Sequence, residues 1–248
     1  MTTNADTCGL FGKLPQQADF VSHFLPDSFT DHWHAWLQSS IGVSREQLGE
    51  NWLDLYLTSP VWRFAIMPNI VTSEAIVGVI IPSVDEVGRY FPLTIAHLGK
   101  HQPWSAYLHG QSWYDDIEKI AVSALDDNMT YSHFMGSQES LPPPNFLPFP
   151  NYKTTAVGHS PNRAIAIKKP EDNTENELTN SLLNNLTSTI LGQHSLWWTN
   201  GSDHVDPCLL MSSNLPDAGQ FSAMLDGDWQ KWGWAEEVVI KTEEALVE

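Results

Sequence analysis

WRFAIMPNIVTSEAIVGVIIPSVDEVGRYFPLTIAHL, residues 62–98, holds apolar runs at roughly 62–67, 75–82 and 90–98, rich in Val, Ile and Phe and bounded by Pro, Asn, Ser and Gly. That composition and punctuation predict strands. Their closeness in sequence predicts antiparallel neighbours. Between the second and third runs lies Pro82-Ser83-Val84-Asp85-Glu86-Val87-Gly88-Arg89-Tyr90-Phe91-Pro92. A plain hairpin needs only two to five loop residues. A Ser, two acids, a Gly and an Arg between buried strands therefore point to a structural latch or a recognition loop. Asp85 is expected to accept a charge-assisted fork from Arg89 or from Arg63.

Helical periodicity surrounds this core. Asp27 or Ser28 can cap a helix carrying Phe29, Trp33, Trp36, Leu37 and Ile41 on one stripe. Ser44 and Gln47 match a capping box, which predicts a second helix with Leu48, Trp52, Leu55 and Tyr56 inward, ended by Pro60. Ser112 reads as the cap of a third, striped by Ile117, Ile120, Ala121 and Ala124. Residues 136–151 contain five prolines and predict an extended connector, either pinned to its own domain by Phe146, Leu147 and Phe149, the favoured reading, or a polyproline segment that docks a partner. Further on, a strand is expected at 164–167 and a helix from Thr174 striped by Leu178, Leu182, Leu186 and Ile190. Strands near 195–199 and 207–212 and a short helix after Pro216 complete the pattern. Grouped strands flanked by helices imply an α/β architecture, a central sheet covered on both faces. The whole reads as one compact unit: a motif-bearing half at about 8–135, the connector, and a C-terminal half at 152–240.

Bulk properties narrow the function. The 248 residues carry 30 acids against 12 bases, a net charge of −18. Nucleic acids and anionic membranes would be repelled by such a surface. No apolar run reaches the ~18 residues a membrane span needs. Cys8 and Cys208 lack C-x-x-C spacing and read as reduced thiols. The 11 tryptophans imply large aromatic burial or an aromatic surface held for a partner. The DWQKWGW stretch at 228–234 fits either reading.

Catalytic signatures fail one by one. Gly9-Leu10-Phe11-Gly12-Lys13 lacks the first P-loop glycine, because Thr7 stands there, and Leu14 replaces the Mg²⁺-binding hydroxyl. Gly110-Gln111-Ser112 lacks the second glycine of a nucleophile elbow. His97 and His101 are four apart with no Glu between them, and Gly99 breaks any helix that would align them. Asp85 and Glu86 could do acid–base work, but neighbouring arginines would keep them ionised.

Gly9-Leu10-Phe11-Gly12-Lys13-Leu14-Pro15, Asp19-Phe20-Val21, Ser59-Pro60-Val61-Trp62-Arg63-Phe64 and the 82–92 turn, in this order and spacing, resemble the TagF (ImpM) family of type VI secretion accessory proteins. Ser195-Leu196-Trp197-Trp198 and Leu215-Pro216 add a weaker echo. The resemblance implies a three-layer α/β/α sandwich with a largely antiparallel mixed sheet. It also implies a cytoplasmic, non-enzymatic post-translational repressor that binds the system's forkhead-associated scaffold protein within a kinase/phosphatase pathway. No cofactor is implied. Candidate partner-binding or latch residues are Lys13, Asp19, Arg63, Ser83, Asp85 and Arg89. A metal- or carboxylate-dependent hydrolase and a structural subunit of the machine are the competing readings.

Overall fold

The computed structural model describes residues 7–126, 128–150 and 175–237. The strands are β1 (Gly9–Gly12), β2 (Val21–His23), β3 (Trp62–Ile66), β4 (Ala75–Ile81), β5 (Leu93–Gly99), β6 (His194–Thr199) and β7 (Cys208–Ser213). They form one sheet in the order β2-β1-β5-β4-β3-β6-β7. All six pairings are antiparallel, so the mixed character implied by the resemblance is absent among the described residues. β6 pairs directly with β3, which places strands from both sides of the proline-rich connector in the same sheet.

Alternation along the central strands sorts side chains between two cores. Trp62, Phe64 and Ile66 on β3 and Ile76 and Ile80 on β4 join one cluster with Trp33, Leu37 and Trp197. Ala65, Val77, Val79 and Ile81, with Leu93 and Ile95 of β5, join the other with Trp104, Tyr114 and Ile117. Helix α1 (Asp27–Leu48) and the short α2 (Trp52–Leu57) and α7 (Ala223–Asp226) contribute to the first cluster. Helices α3 (Pro103–His109), α4 (Gln111–Ser123) and α5 (Tyr131–Glu139) contribute to the second. Near the centre the Phe64 ring lies 5.1 Å from those of Trp33 and Trp197. It fits there because its register partner is Gly78, where a Cβ would lie 2.8 Å from Phe64 Cζ and 2.3 Å from the Ile95 carbonyl oxygen.

Several sequence expectations are corrected. α1 runs unbroken through Ser44, so there is no capping box. The Ser44 hydroxyl donates to the Ile41 carbonyl (3.0 Å) and accepts from Trp52 Nε1 (2.9 Å), which makes it a buried link between α1 and α2. α4 begins at Gln111 after Gly110, so Ser112 lies inside the helix and is not its cap. α3 was not foreseen, and neither was α5, which takes residues up to Glu139 from the expected connector. The connector does lie against its own domain. Gln102 holds both backbone groups of Phe149, Trp113 Nε1 donates to the Pro142 carbonyl, and Phe146 stacks on Tyr114. Leu147, however, is 70% exposed, and it is held through its carbonyl, which accepts from Ser105 Oγ, and not through its side chain. On α6 (Glu175–Leu191) the outer part of the expected apolar stripe faces outward, with Leu186 and Ile190 exposed. From Glu177 onward its buried positions are Ser181 and Thr187, the latter accepting from Trp104 Nε1 at 2.9 Å. The strand expected at 164–167 lies outside the described residues.

The two cysteines are free, Cys8 in one core and Cys208 beside the other. Burial pushes the Cys8 thiol up to about 12. Removing the ring at the centre of the first core tests its weight. Phe64→Ala should cost about 3–5 kcal/mol in chemical denaturation, with the secondary structure of the folded fraction unchanged.

Candidate functional site

Polar side chains converge where β1 ends beside the turn joining β4 to β5. Gly12 makes the approach possible. Its φ is 139°, and a Cβ there would lie 2.2 Å from the Pro92 carbonyl oxygen. The next residue, Lys13, is 4% exposed and donates from Nζ to Asp85 Oδ2, which also accepts from Arg89 Nε (2.7 Å). Asp85 Oδ1 accepts from the backbone N–H groups of Val87 (3.1 Å) and Arg89 (2.7 Å). A carboxylate offers about four lone-pair sites. All four of these are occupied.

The turn is closed from other sides as well. Asp85 N donates to the Arg89 carbonyl (3.0 Å), and Phe91 N to the Ser83 carbonyl (3.1 Å). Ser83 Oγ donates to the Lys13 carbonyl (2.8 Å). The Tyr56 hydroxyl donates to the Ser83 carbonyl (2.9 Å) and accepts from Ser83 N (3.1 Å), tying α2 to the turn. Arg89 Nη2 reaches across to the Ala18 carbonyl.

Burial alone would raise the Asp85 pKa. Hydrogen bonds from Lys13, from the Arg89 backbone and from the Arg89 side chain, together with the Lys13 charge, outweigh it and hold the carboxyl well below the usual carboxylate range. Such a group stays ionised near neutrality with no lone pair free, which makes it a brace and a poor proton acceptor.

The six sequence-predicted residues divide. Lys13, Ser83, Asp85 and Arg89 meet in this latch. Arg63 does not, so the alternative fork from Arg63 to Asp85 is not formed. It is 2% exposed and donates from Nε and Nη2 to Glu118 (2.8 and 2.5 Å) and from Nη2 to Asp115 (2.8 Å), both on α4. Asp115 thereby serves as a counter-ion to a buried cation. Asp19 is exposed and forms no ion pair among the described residues. Lys13 is covered, so its ammonium cannot reach a partner as a surface charge.

His97 and His101 come within 3.0 Å of each other through Nδ1 and Nε2. Burial, and then the neighbouring His97, lower His101 to about 4. Among the described residues no group of three or more His, Cys, Asp or Glu is placed to hold a metal ion.

Residues 9–141, which include the whole latch, match the family model described as the TagF N-terminal domain, type VI secretion system-associated. The chain belongs to the TagF family. It is similar to PA0076 from Pseudomonas aeruginosa PAO1, known from a crystal structure, with 32% sequence identity, 95% of this chain and 98% of that chain covered, and a TM-score of 0.76. No match was found among curated proteins. The chain is thus a type VI secretion-associated protein. None of its helices among the described residues is long and apolar enough to cross a membrane.

Sequence reasoning found the Asp85–Arg89 contact and missed the longer-range ones. The Lys13 contact spans 72 positions and no local pattern encodes it. Helical periodicity marks Tyr56 only as an inward-facing residue and carries no sign of what its hydroxyl meets, Ser83.

Asp85→Asn should destabilise the fold by about 3–5 kcal/mol, because it leaves Lys13 buried without a counter-charge. Arg89→Ala should cost about 1 kcal/mol, since its side chain is 57% exposed. Equilibrium urea denaturation checks both. The pH dependence has a definite sign. The folded pKa of Asp85 is depressed, so its stabilisation is complete above the unfolded value of about 4 and is lost as pH falls below it. In an acid titration of stability, Asp85→Asn should flatten that decline.

Proposed function

We propose that this chain is a cytoplasmic, non-enzymatic regulator of type VI secretion that acts by protein–protein binding. In this reading it holds a forkhead-associated scaffold component in an inactive complex, within a pathway governed by kinase and phosphatase activity. Membership of the TagF family carries the proposal, since residues 9–141 match that family's N-terminal domain. The saturated Asp85 supports it, because the acid best placed for acid–base work is engaged on all sides.

Repression by binding needs different affinities for the active and inactive forms of the target. A surface braced by buried ion pairs keeps its shape while a target changes between forms. It can therefore select one of them.

Deleting the gene should raise secretion, and affinity capture of the tagged chain should recover the forkhead-associated scaffold in stoichiometric amount. Loss of secretion on deletion, with co-purification of assembled sheath or baseplate, would instead mark a structural subunit. Turnover by the purified chain, abolished by replacing one acid or imidazole in a folded variant, would mark an enzyme.

A further inference from the structure

Beside the latch, α1, α2 and the 83–89 turn enclose an open cleft of about 610 Å³ lined by Arg45, Glu50, Trp52, Leu53, Arg89 and Tyr90. Its floor is rigid. Trp52 stacks on Tyr56 with ring centroids 4.9 Å apart, Tyr90 meets Trp52 edge-on at 5.7 Å, and Trp52 Nε1 is tied to Ser44. The Tyr56 hydroxyl anchors this stack to the Ser83 backbone. Arg45 lies on the floor, its guanidinium carbon 4.2 Å from the Trp52 ring centroid and 5.8 Å from that of Tyr90. A stacked guanidinium is held flat, with its N–H edges free to form a fork. Arg45 makes no ion pair among the described residues.

The charge here runs against the rest of the molecule. A second cleft of about 320 Å³ shares Arg45 and Tyr90 and reaches Lys13 and Phe20. Arg45 and Arg89 line them at the surface, and Lys13 lies covered at the base of the second, its ammonium spent on Asp85. Glu50 is the one carboxylate among the described lining residues, out of 30 acids in the sequence. Asp85 beneath offsets part of the charge of Lys13 and Arg89. Arg45 has no such ion-pair partner among the described residues, Glu50 being the one carboxylate that shares its cleft. Leu53, at the first cleft, and Val87, in the turn, are exposed apolar side chains.

From these observations we infer that the cleft docks an acidic, leucine-bearing segment of a partner protein, its carboxylate forked by Arg45 and its leucine set against Trp52 and Leu53. The inference deepens the binding reading above and rests on it for the existence of a partner. Its test needs neither the scaffold nor a secretion assay, so the two can fail separately.

A fluorescein-labelled peptide of alternating glutamate and leucine, titrated with the full chain and followed by anisotropy, probes the cleft directly. It should bind. Arg45→Glu should weaken binding about tenfold or more, equivalent to about 1.4 kcal/mol per decade, and Leu53→Ser should also weaken it. Lys119→Glu changes net charge equally but lies on the exposed side of α4, paired with Asp116, and should leave affinity unchanged. Circular dichroism and thermal melting confirm that each variant is folded. Four results would overturn the inference: no binding, equal or tighter binding of the lysine–leucine peptide, affinity indifferent to Arg45→Glu, or preference for a leucine-free phosphoserine peptide.

Discussion

Four N–H donors converge on the carboxylate of Asp85, three from its own turn and one, Lys13, from 72 positions away. Lys13 brings the end of β1, Val87 and Arg89 bring the turn backbone, and the Arg89 side chain extends the contact to Ala18. Taking an ammonium and a carboxylate out of water costs several kcal/mol per ion, and a buried pair recovers this only when its remaining hydrogen-bonding capacity is met. Here the capacity of Asp85 is met in full. The interaction therefore fixes geometry as much as it stabilises. It sets where β1 ends relative to the β4–β5 turn, and so where the β1–β2 edge of the sheet sits.

The same turn supports the aromatic cleft inferred to be a recognition surface. Ser83 uses its hydroxyl on Lys13 and both of its backbone groups on Tyr56, so the ionic latch and the aromatic floor share one residue. Tyr56 carries Trp52, and Trp52 carries Arg45. A guanidinium positioned through such a chain loses little further freedom when it meets a carboxylate. Preorganisation of this kind raises affinity by lowering the cost of binding. The second buried cation, Arg63, serves a different joint, fastening α4 to β3 through Glu118 and Asp115.

What could be read from the sequence followed the range of the interactions. β3, β4 and β5 were legible because alternation and Gly or Pro punctuation are local, and their antiparallel order followed from short connections. The Asp85–Arg89 contact was legible for the same reason. Lys13–Asp85, Tyr56–Ser83 and Arg63–Glu118 join distant segments, so residue type could flag these side chains without naming their partners. Ser44 shows how a local pattern misleads. Its spacing to Gln47 suits a helix start, yet Trp52 donates to its hydroxyl and the helix continues, tertiary contact overriding the capping preference. Apolar residues on α6 mislead in the opposite sense. Thr187 is buried because Trp104 needs an acceptor, while Leu186 and Ile190 remain outside.

A net charge of −18 places a cleft rich in arginine inside a repulsive field. Distance resolves the conflict. At physiological ionic strength the Debye length is about 8 Å, so acids elsewhere on the surface are largely screened from a ligand seated in the cleft. Arg45, at contact, is not. An acidic segment therefore gains little from approaching the molecule at random and most from reaching this one place. Excess carboxylate over the rest of the surface suppresses misplaced encounters with acidic chains, and the aromatic-backed arginine supplies the local exception. Under the docking inference, the charge imbalance that first marks the sequence would become a source of selectivity, because repulsion elsewhere discriminates against wrong sites as effectively as attraction favours the right one.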